Sequence, residues 1–420
     1  SLRHATLEEG VTWLVSSAFS GCTALESVVI PESVTNIQPL AFSGCSALTS
    51  VNLSKNMKRV WDWTFRDCTA LSSITIPDSI ELIGKEAFKN CTALETVRIG
   101  SGVKSIASDS FLGCTSIRNI ITDENNTAFS SDNGKVLYNK DKTELLLYPA
   151  GAPEESYTVL PSTQVISYNA FSGCAALTDA VLNEGLQTIR SDAFLNCTSL
   201  GAVSIPGSVT YISASAFRGT AYYNDAESWT DNCLYNGSWL LEVKADIVKN
   251  LSVAPGTEHL AEGFLYRPYL WGRAVIETVH LPASLAAVSD GLFRDCTNLA
   301  SITVDEDSAF YASDSETGAL YNKEKTKLVA YPPKRANTQL VLPDTVETIA
   351  PYAFYYSKNL TNVTLTGSLR EIGDYAFYYC DKIQTLNLPD GLESIGDRAF
   401  DECRKFYPTV LPSTVKHAGE

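Results

Sequence analysis

Residues 71–94 read LSSITIPDSIELIGKEAFKNCTAL, and variants of this stretch recur along the chain. Its phenylalanine belongs to a series with a step of 23 residues within each of three runs. The runs are Phe19, Phe42, Phe65, Phe88 and Phe111; Phe171, Phe194 and Phe217; and Phe354, Phe377 and Phe400. Phe264 and Phe293 keep the motif at irregular spacing. A fixed period of about 20–50 residues indicates stacked copies of one supersecondary unit.

The repeat unit divides into a strand and a turn. Residues 71–76 alternate and are rich in β-branched side chains, which predicts a short strand, and Pro77 ends it. Residues 87–91 predict a single helical or 3₁₀ turn. Phe, Leu, Ile and Cys recur at the same positions in nearly every copy, so stacking would bury these side chains in columns beside a parallel sheet. Ser, Thr and Asn between the buried strand positions predict a polar outer sheet face.

Composition excludes several classes of partner. The 420 residues are 45% hydrophobic and carry a formal net charge of −16, with no basic stripe. Nucleic acid and anionic membrane are therefore poor partners on electrostatic grounds. No apolar run approaches the ~18 residues that a membrane-spanning helix needs, so no membrane insertion is expected. Both ends fall within a repeat, so we expect a trimmed or mature fragment that could have lost a signal peptide or anchor.

Ten of the eleven cysteines lie three residues after a repeat phenylalanine, and Cys233 is out of phase. An odd number at repeat spacing is not a disulfide framework. Equivalent side chains in successive coils point in parallel, so we expect a column of small buried thiols. No CxxC or Cys/His cluster occurs, so no metal site is predicted there.

The string I-P-x-S-V-x-x-I-x-x-x-A-F-x-x-C-x-x-L, as in residues 30–48 and, with one Ile for Val, 76–94, resembles the BspA-type class of bacterial leucine-rich repeats. This resemblance implies a single right-handed β/α superhelix over residues 1–420. Short parallel strands would form one face, and short helical or 3₁₀ turns and irregular segments the other. It also implies a secreted or surface-anchored, often adhesive, protein without catalytic residues. Thr220 and Arg267 replace the cysteine in two copies, where stacking is expected to be less regular.

Three islands interrupt the repeats, at residues 123–158, 221–253 and 305–340. The first and third are copies of one another, with LYNKDKT at 137–143 and LYNKEKT at 320–326. Apolar runs flank each polar turn, which predicts β-hairpins that project from the same edge of the solenoid. Insertions in repeat arrays map to one face, often the binding face.

The second island and the residues that follow it are rich in aromatic side chains: Tyr222, Tyr223, Trp229, Tyr235, Trp239, Tyr266, Tyr269 and Trp271. Tyrosine and tryptophan are enriched at recognition hot spots, so these residues are candidate contacts for an extracellular protein or glycan. The alternative is a local mini-core that supports an irregular coil.

A second aromatic group repeats at 23 residues: Tyr352, Tyr355, Tyr356, Tyr375, Tyr378 and Tyr379. These tyrosines are predicted to stack as a ladder on the convex side. The ladder would serve either packing near the C-terminal end or contact with a partner.

No catalytic site is visible. The chain has four histidines, none beside a nucleophile, and no nucleotide-binding, hydrolase or zinc-protease motif occurs. The acidic runs of the first and third islands lack EF-hand spacing. We therefore predict no cofactor, metal or catalytic residue, and a recognition protein outside the cell or on its surface. The alternatives are a structural stalk that presents a missing domain, and a glycan-active enzyme with its site at the second island.

Overall fold

The computed structural model describes residues 2–265, 275–384, 386–405 and 411–419. The chain divides into two compact units, Ser1–Ser228 and Trp229–Glu420. Each unit is a stack of coils whose strands pair in parallel with the equivalent strands of the next coil. The predicted solenoid of parallel strands is confirmed.

One row of strands comes from the predicted strand motif, and we call it the front sheet. In Ser73–Ile76 exposed and buried residues alternate, so Ile74 and Ile76 enter the core. The front strands of the first unit are His4–Thr6, Ser27–Val29, Ser50–Val51, Ser73–Ile76, Thr96–Ile99, Asn119–Thr122, Ser156–Thr158 and Asp179–Val181. Those of the second unit are Asn250–Ser252, Thr278–Leu281, Ser301–Val304, Gln339–Val341 and Asn362–Thr364.

A second row of shorter strands, the side sheet, follows the Pro-containing turn of each coil. Leu82–Ile83 pairs in parallel with Arg59–Val60 and with Ser105–Ile106. The other strands of this row in the first unit are Trp13–Leu14, Asn36–Ile37, Val165–Ile166, Thr188–Ile189 and Tyr211–Ile212. In the second unit they are His259–Leu260, Thr348–Ile349, Glu371–Ile372, Ser394–Ile395 and His417–Ala418. The repeat pattern predicts strands on one face only, whereas strands pair on two faces.

The Phe-bearing segment of each coil, the Phe turn, is not the predicted helical turn in most copies. Trp63 and Asp67 flank Phe65 with φ of 58° and 60°. Such left-handed residues interrupt a right-handed helix on both sides of the phenylalanine. The N–H groups of Trp63, Phe65 and Asp67 donate instead to carbonyls of the next coil at 2.8–2.9 Å. The Phe turns thus form a third hydrogen-bonded row.

Helical segments among the described residues occur in one place. A 3₁₀ helix spans Ala214–Phe217, an α-helix Ala221–Asn224 and a second 3₁₀ helix Ala226–Ser228. The Thr220 side chain, which replaces a repeat cysteine, accepts a hydrogen bond from the Tyr223 N–H and caps the α-helix. The departure from the motif therefore marks a local change in the backbone.

The core consists of the predicted columns. Consecutive phenylalanine rings stack at centroid distances of 4.6–5.4 Å, as in Phe42 on Phe65 and Phe354 on Phe377. Every cysteine is a free thiol. Cys68 is buried and donates to the Phe42 carbonyl of the preceding coil at 3.2 Å, and its neighbours repeat this bond. Burial raises the pKa of the Cys45 thiol to about 11.

All three islands contain antiparallel hairpins. The strands are Phe129–Asp132, Val136–Asn139 and Glu144–Leu147 in the first; Trp229–Thr230, Cys233–Asn236 and Trp239–Val243 in the second; and Tyr311–Ser313, Leu320–Asn322 and Lys327–Ala330 in the third. In each island the last strand pairs in parallel with the next side strand, as Glu144–Leu147 does with Val165–Ile166. Each hairpin thus joins the side sheet.

Candidate functional site

Six half-exposed tyrosines form a continuous surface in the second unit, which we call the tyrosine strip: Tyr352, Tyr355, Tyr356, Tyr375, Tyr378 and Tyr379. The predicted ladder is confirmed, because each residue of one Phe turn stacks on its equivalent in the next. The centroid distances are 5.1 Å for Tyr352–Tyr375, 5.2 Å for Tyr355–Tyr378 and 4.8 Å for Tyr356–Tyr379.

The backbone under the strip is unusual for tyrosine. Tyr352, Tyr356, Tyr375 and Tyr379 have φ between 53° and 63°. A bulky residue in this region is a genuine outlier; other Phe turns place Gly, Asn or Asp at several of the equivalent positions, and Leu40 and Trp63 at two others. Backbone strain of this kind clusters at functional sites. Local backbone preference therefore does not explain why this unit carries tyrosine.

Cationic side chains lie over four of the six rings. The Arg294 guanidinium lies 5.5 Å from the Tyr352 ring and that of Arg398 lies 6.0 Å from Tyr375. Lys358 Nζ lies 4.4 Å from Tyr356 and 5.2 Å from Tyr379. Because neighbouring rings or cations lie on the faces of these four tyrosines, they present ring edges and hydroxyl groups to a partner.

The phenols of Tyr355 and Tyr378 remain neutral near pH 7. Burial, together with the nearby Tyr378, raises the pKa of Tyr355 to about 12. Desolvation and the neighbouring Tyr379 raise the pKa of Tyr378 as well. Neutral phenols both donate and accept hydrogen bonds, so the strip can contact either kind of group.

The second-island aromatics are divided between the two units. Tyr222 and Tyr223 lie on the α-helix of the first unit, and both are half-buried. The Tyr222 N–H donates to the Leu200 carbonyl at 3.1 Å, which fixes this helix on the preceding coil.

The described second-island aromatics of the second unit have local packing contacts. Trp239 is 4% exposed and stacks on the His259 ring at 4.6 Å. The Tyr235 hydroxyl accepts a hydrogen bond from the Ala254 N–H at 3.0 Å. Trp229 is half-buried, with Lys244 Nζ 4.4 Å from its ring. The predicted contacts Tyr266, Tyr269 and Trp271 lie outside the described residues.

The front sheet of the first unit ends in an open groove of about 690 Å³. Its walls carry both charges, including Glu32, Lys55, Asp78 and Arg98. Glu32 and Asp78 already accept backbone N–H groups of the following coil, at 2.7 and 2.8 Å. These carboxylates therefore hold the coils together, and the groove offers no cluster of one charge.

The histidines on the sheets have structural neighbours. His280 on the front sheet contacts Thr303 Oγ1 at 3.1 Å and Asp305 Oδ1 at 3.0 Å. In the described ranges no group of three His, Cys, Asp or Glu side chains could hold a metal ion. Nor is any helix of those ranges long and apolar enough to cross a bilayer.

Sequence reasoning found the six tyrosines but missed their surroundings. Arg294 and Lys358 belong to no motif that would mark them as neighbours of these rings. Gly291, on which the Tyr352 ring packs, was also missed, although a Cβ there would lie 2.7 Å from that ring. The signal that could have found it is the same 23-residue register, which places Gly291 two residues before Phe293.

Comparisons with known proteins agree with this architecture. The family model of the BspA-type leucine-rich repeat region matches six copies, over residues 1–133, 155–234, 269–334 and 330–420. A leucine-rich cell-surface protein of Faecalibacterium prausnitzii has 23% sequence identity and a TM-score of 0.50, over 72% of this chain and 73% of that chain. Its likeness shows the fold.

Two further solved structures are more distant. A leucine-rich repeat protein of Bacteroides ovatus is 21% identical over 99% of this chain and 82% of that chain, with a TM-score of 0.36. The pneumococcal vaccine antigen PcpA is 18% identical over 100% and 89% of the two chains, with a TM-score of 0.46. No curated protein matches the chain in sequence.

Proposed function

The chain belongs to the BspA-type leucine-rich repeat family, and we propose that it is a non-enzymatic recognition protein that works outside the cell or on its surface. In this proposal the coils are a rigid support and the tyrosine strip binds an extracellular protein. The observation that carries the proposal is the ladder of half-exposed tyrosines on left-handed backbone. Tyrosine supplies a large contact area with a polar tip at low entropic cost.

The ring geometry favours a protein partner over a glycan. Sugars stack on exposed aromatic faces, but Tyr352 and Tyr375 face each other, and Arg294 and Arg398 lie over their other faces. Edges and neutral hydroxyl groups instead suit backbone and side-chain groups of a protein. Adhesion would follow from such binding.

The second-island aromatics of each unit are proposed as further contacts with a partner. Tyr222, Tyr223 and Trp229 are half-buried and support this role. The burial of Trp239 and the hydrogen bond of Tyr235 favour local support of the island, which is what a structural stalk would need. The stalk is thus the second candidate function, in which these residues stabilise a coil and bind nothing.

A binding screen with matched variants tests the proposal. The intact chain is applied to immobilised extracellular-matrix proteins and to a glycan array. The variant Tyr355→Ser/Tyr378→Ser places serine one residue after the phenylalanine, as Ser43 and Ser172 do in other coils. We expect the wild type to bind a matrix protein and the variant to bind it at least tenfold more weakly.

Two exposed tyrosines of the first unit provide the control, since Tyr168 is 42% and Tyr211 39% exposed. The variants Tyr168→Ser and Tyr211→Ser should bind like the wild type. Binding to glycans alone would exclude a protein partner, and equal binding by the strip variant would exclude the strip. Absence of any binding would favour the stalk.

A further inference from the structure

Each of the first and third islands shortens one coil. In a regular coil the phenylalanine lies five positions after the buried residue of the side strand, as Phe171 does after Ile166. In the first island Tyr148 lies only three positions after Leu145, yet its ring still stacks on that of Phe171 at 5.1 Å. The shortened coil therefore lacks two residues of the corner, the segment between the side strand and the Phe turn, which the coils on both sides have in full.

The missing corner leaves a cavity of about 220 Å³ in the first unit, which we call the first notch. Its lining includes Ile106, Leu112, Glu144, Leu146, Asn169 and Ser172. The walls are mostly aliphatic, and Leu112 and Leu146 are only half-buried. A largely apolar pocket with a few polar groups is the usual form of a small binding site.

The edges of the first notch carry backbone groups without partners. In the preceding coil the Phe88 and Asn90 N–H groups donate to the next coil at 2.8 and 2.9 Å. The equivalent N–H groups of Phe111 and Gly113 make no hydrogen bond within the part of the chain that the structure describes. Across the notch, the Ser172 carbonyl likewise accepts none there. One wall thus offers donors and the other an acceptor, the complement of an extended peptide.

The third island has the same shortened coil, but its notch is filled. Tyr331 lies three positions after Leu328. The space that remains in this notch is about 10 Å³. Tyr352 and Tyr355, which replace Asn169 and Ser172 of the first notch, line this space. The Tyr352 ring reaches across to Gly291. The chain therefore shows which chemical group fits such a notch, namely a tyrosine side chain.

We propose that the first notch binds a short extended peptide of a partner protein through an aromatic side chain. The ring occupies the place that Tyr352 takes in the third island. The peptide backbone accepts from the Phe111 N–H and donates to the Ser172 carbonyl, and so completes the interrupted row of Phe turns. Glu144 on the wall forms no ion pair among the described residues, so a basic residue beside the aromatic one complements its charge.

The test uses the whole chain and the probe peptide Ac-Ala-Tyr-Lys-NH2 in isothermal titration calorimetry. We expect saturable binding, at least tenfold weaker for Ac-Ala-Ala-Lys-NH2, which lacks the ring. The variant Asn169→Tyr/Ser172→Tyr reproduces the filled notch and should reduce binding of the tyrosine peptide at least tenfold. Glu144→Gln should weaken that binding by a smaller factor, because it removes the charge that faces the lysine.

The matched control is Leu195→Tyr, which adds the same ring at the equivalent position one coil further on, outside the notch. It should bind like the wild type. If the double variant does not fold, Leu112→Arg replaces it, since Arg294 stands at the equivalent place of the filled notch. Hydrogen–deuterium exchange should show protection of residues 107–114 when the peptide is added. Absence of binding, unchanged binding by the closed variants, or no protection of this segment would each overturn the proposal. The tyrosine strip is untouched by all these variants, so this proposal and the proposed function fail independently.

Discussion

The rings of Tyr352 and Tyr375 lie 5.1 Å apart and 3° from parallel, because the two residues occupy the same place in consecutive coils. Their φ angles are 60° and 53°. Left-handed backbone costs about 1–2 kcal/mol for a residue other than glycine, whereas aromatic pairing contributes about 0.5–1.5 kcal/mol. Stacking of this pair therefore offsets the backbone cost at best. Tyr352 also packs into the notch of the third island, which adds to its stability, whereas Tyr375 has no such notch to fill.

Replacement of Tyr379 by asparagine should separate binding from stability. Asn90 and Asn196 hold the equivalent place in other coils with φ of 60° and 58°. Tyr379→Asn loses two ring contacts, with Tyr356 and Tyr378, but relieves the backbone, so we expect a free energy of unfolding within about 2 kcal/mol of the wild type. Partner binding should nevertheless fall. Chemical denaturation and the matrix-protein assay measure the two effects.

The control for this prediction is Tyr379→Val. A β-branched residue tolerates left-handed backbone poorly, so this variant should be about 1–2 kcal/mol less stable than Tyr379→Asn. Equal stability of the two variants would show that the backbone at this position is not under strain.

The phenylalanine columns predict a large contrast between two residues of one coil. Phe88 is fully buried between the rings of Phe65 and Phe111, and Phe88→Ala should cost about 3–5 kcal/mol. Ser73 is exposed on the front sheet, so Ser73→Ala should change stability by less than about 0.5 kcal/mol. Urea unfolding of both variants tests the difference. Similar effects would contradict the assignment of inner and outer positions.

The buried columns could be predicted from the sequence because every copy repeats the same apolar positions. The left-handed Phe turns could not, since the flanking places hold residues as different as Leu40, Trp63 and Tyr352 beside the expected Gly and Asn. Their conformation is set by hydrogen bonds to the next coil, which a local pattern does not contain. For the same reason a short helix was expected where the backbone in fact forms a third row.

The sequence shows that the hairpin segments 137–143 and 320–326 are copies of one another. Only the structure shows what their asparagine does. Asn139 Oδ1 accepts hydrogen bonds from the Thr143 and Glu144 N–H groups at 2.8 and 2.9 Å. Asn322 makes the equivalent bond to the Lys327 N–H at 2.8 Å. One side chain thus closes each turn and directs the last hairpin strand into the side sheet.

Asn139→Ala should therefore destabilise the first island. Two backbone donors lose their acceptor in a half-buried turn, which costs about 1–3 kcal/mol. Exchange of the amide protons of residues 136–147 should accelerate, and Asn322→Ala, which removes the acceptor of one backbone donor, should have a smaller effect on the third island. The exposed Asn125 serves as the control, because Asn125→Ala removes only surface contacts. If Asn139→Ala and Asn125→Ala behaved alike, the amide would not close the turn.

The thiol column predicts loss of stability at alkaline pH. Burial raises the pKa of Cys45 from 9.0 to about 11, and the pKa of Cys296 and of Cys403 to about 12. In the unfolded chain these thiols ionise near pH 9, while in the folded protein they remain neutral. Ionisation therefore favours the unfolded state once the pH passes 9. The stabilisation is complete below pH 9 and disappears as the pH rises through 11–12.

The midpoint of urea unfolding should fall steeply between pH 9 and 11, and cysteine variants should flatten this dependence. Cys296→Ala removes one thiol whose ionisation is suppressed in the fold, so its loss of stability from pH 8 to pH 11 should be smaller than that of the wild type. The variant starts from a lower stability at pH 8, because a buried side chain is lost. A pH dependence identical to the wild type would mean that Cys296 ionises as readily in the folded protein as in the unfolded chain. Reaction of the native protein with a thiol reagent at pH 8 provides an independent measure, since a suppressed thiolate at a buried site should react slowly.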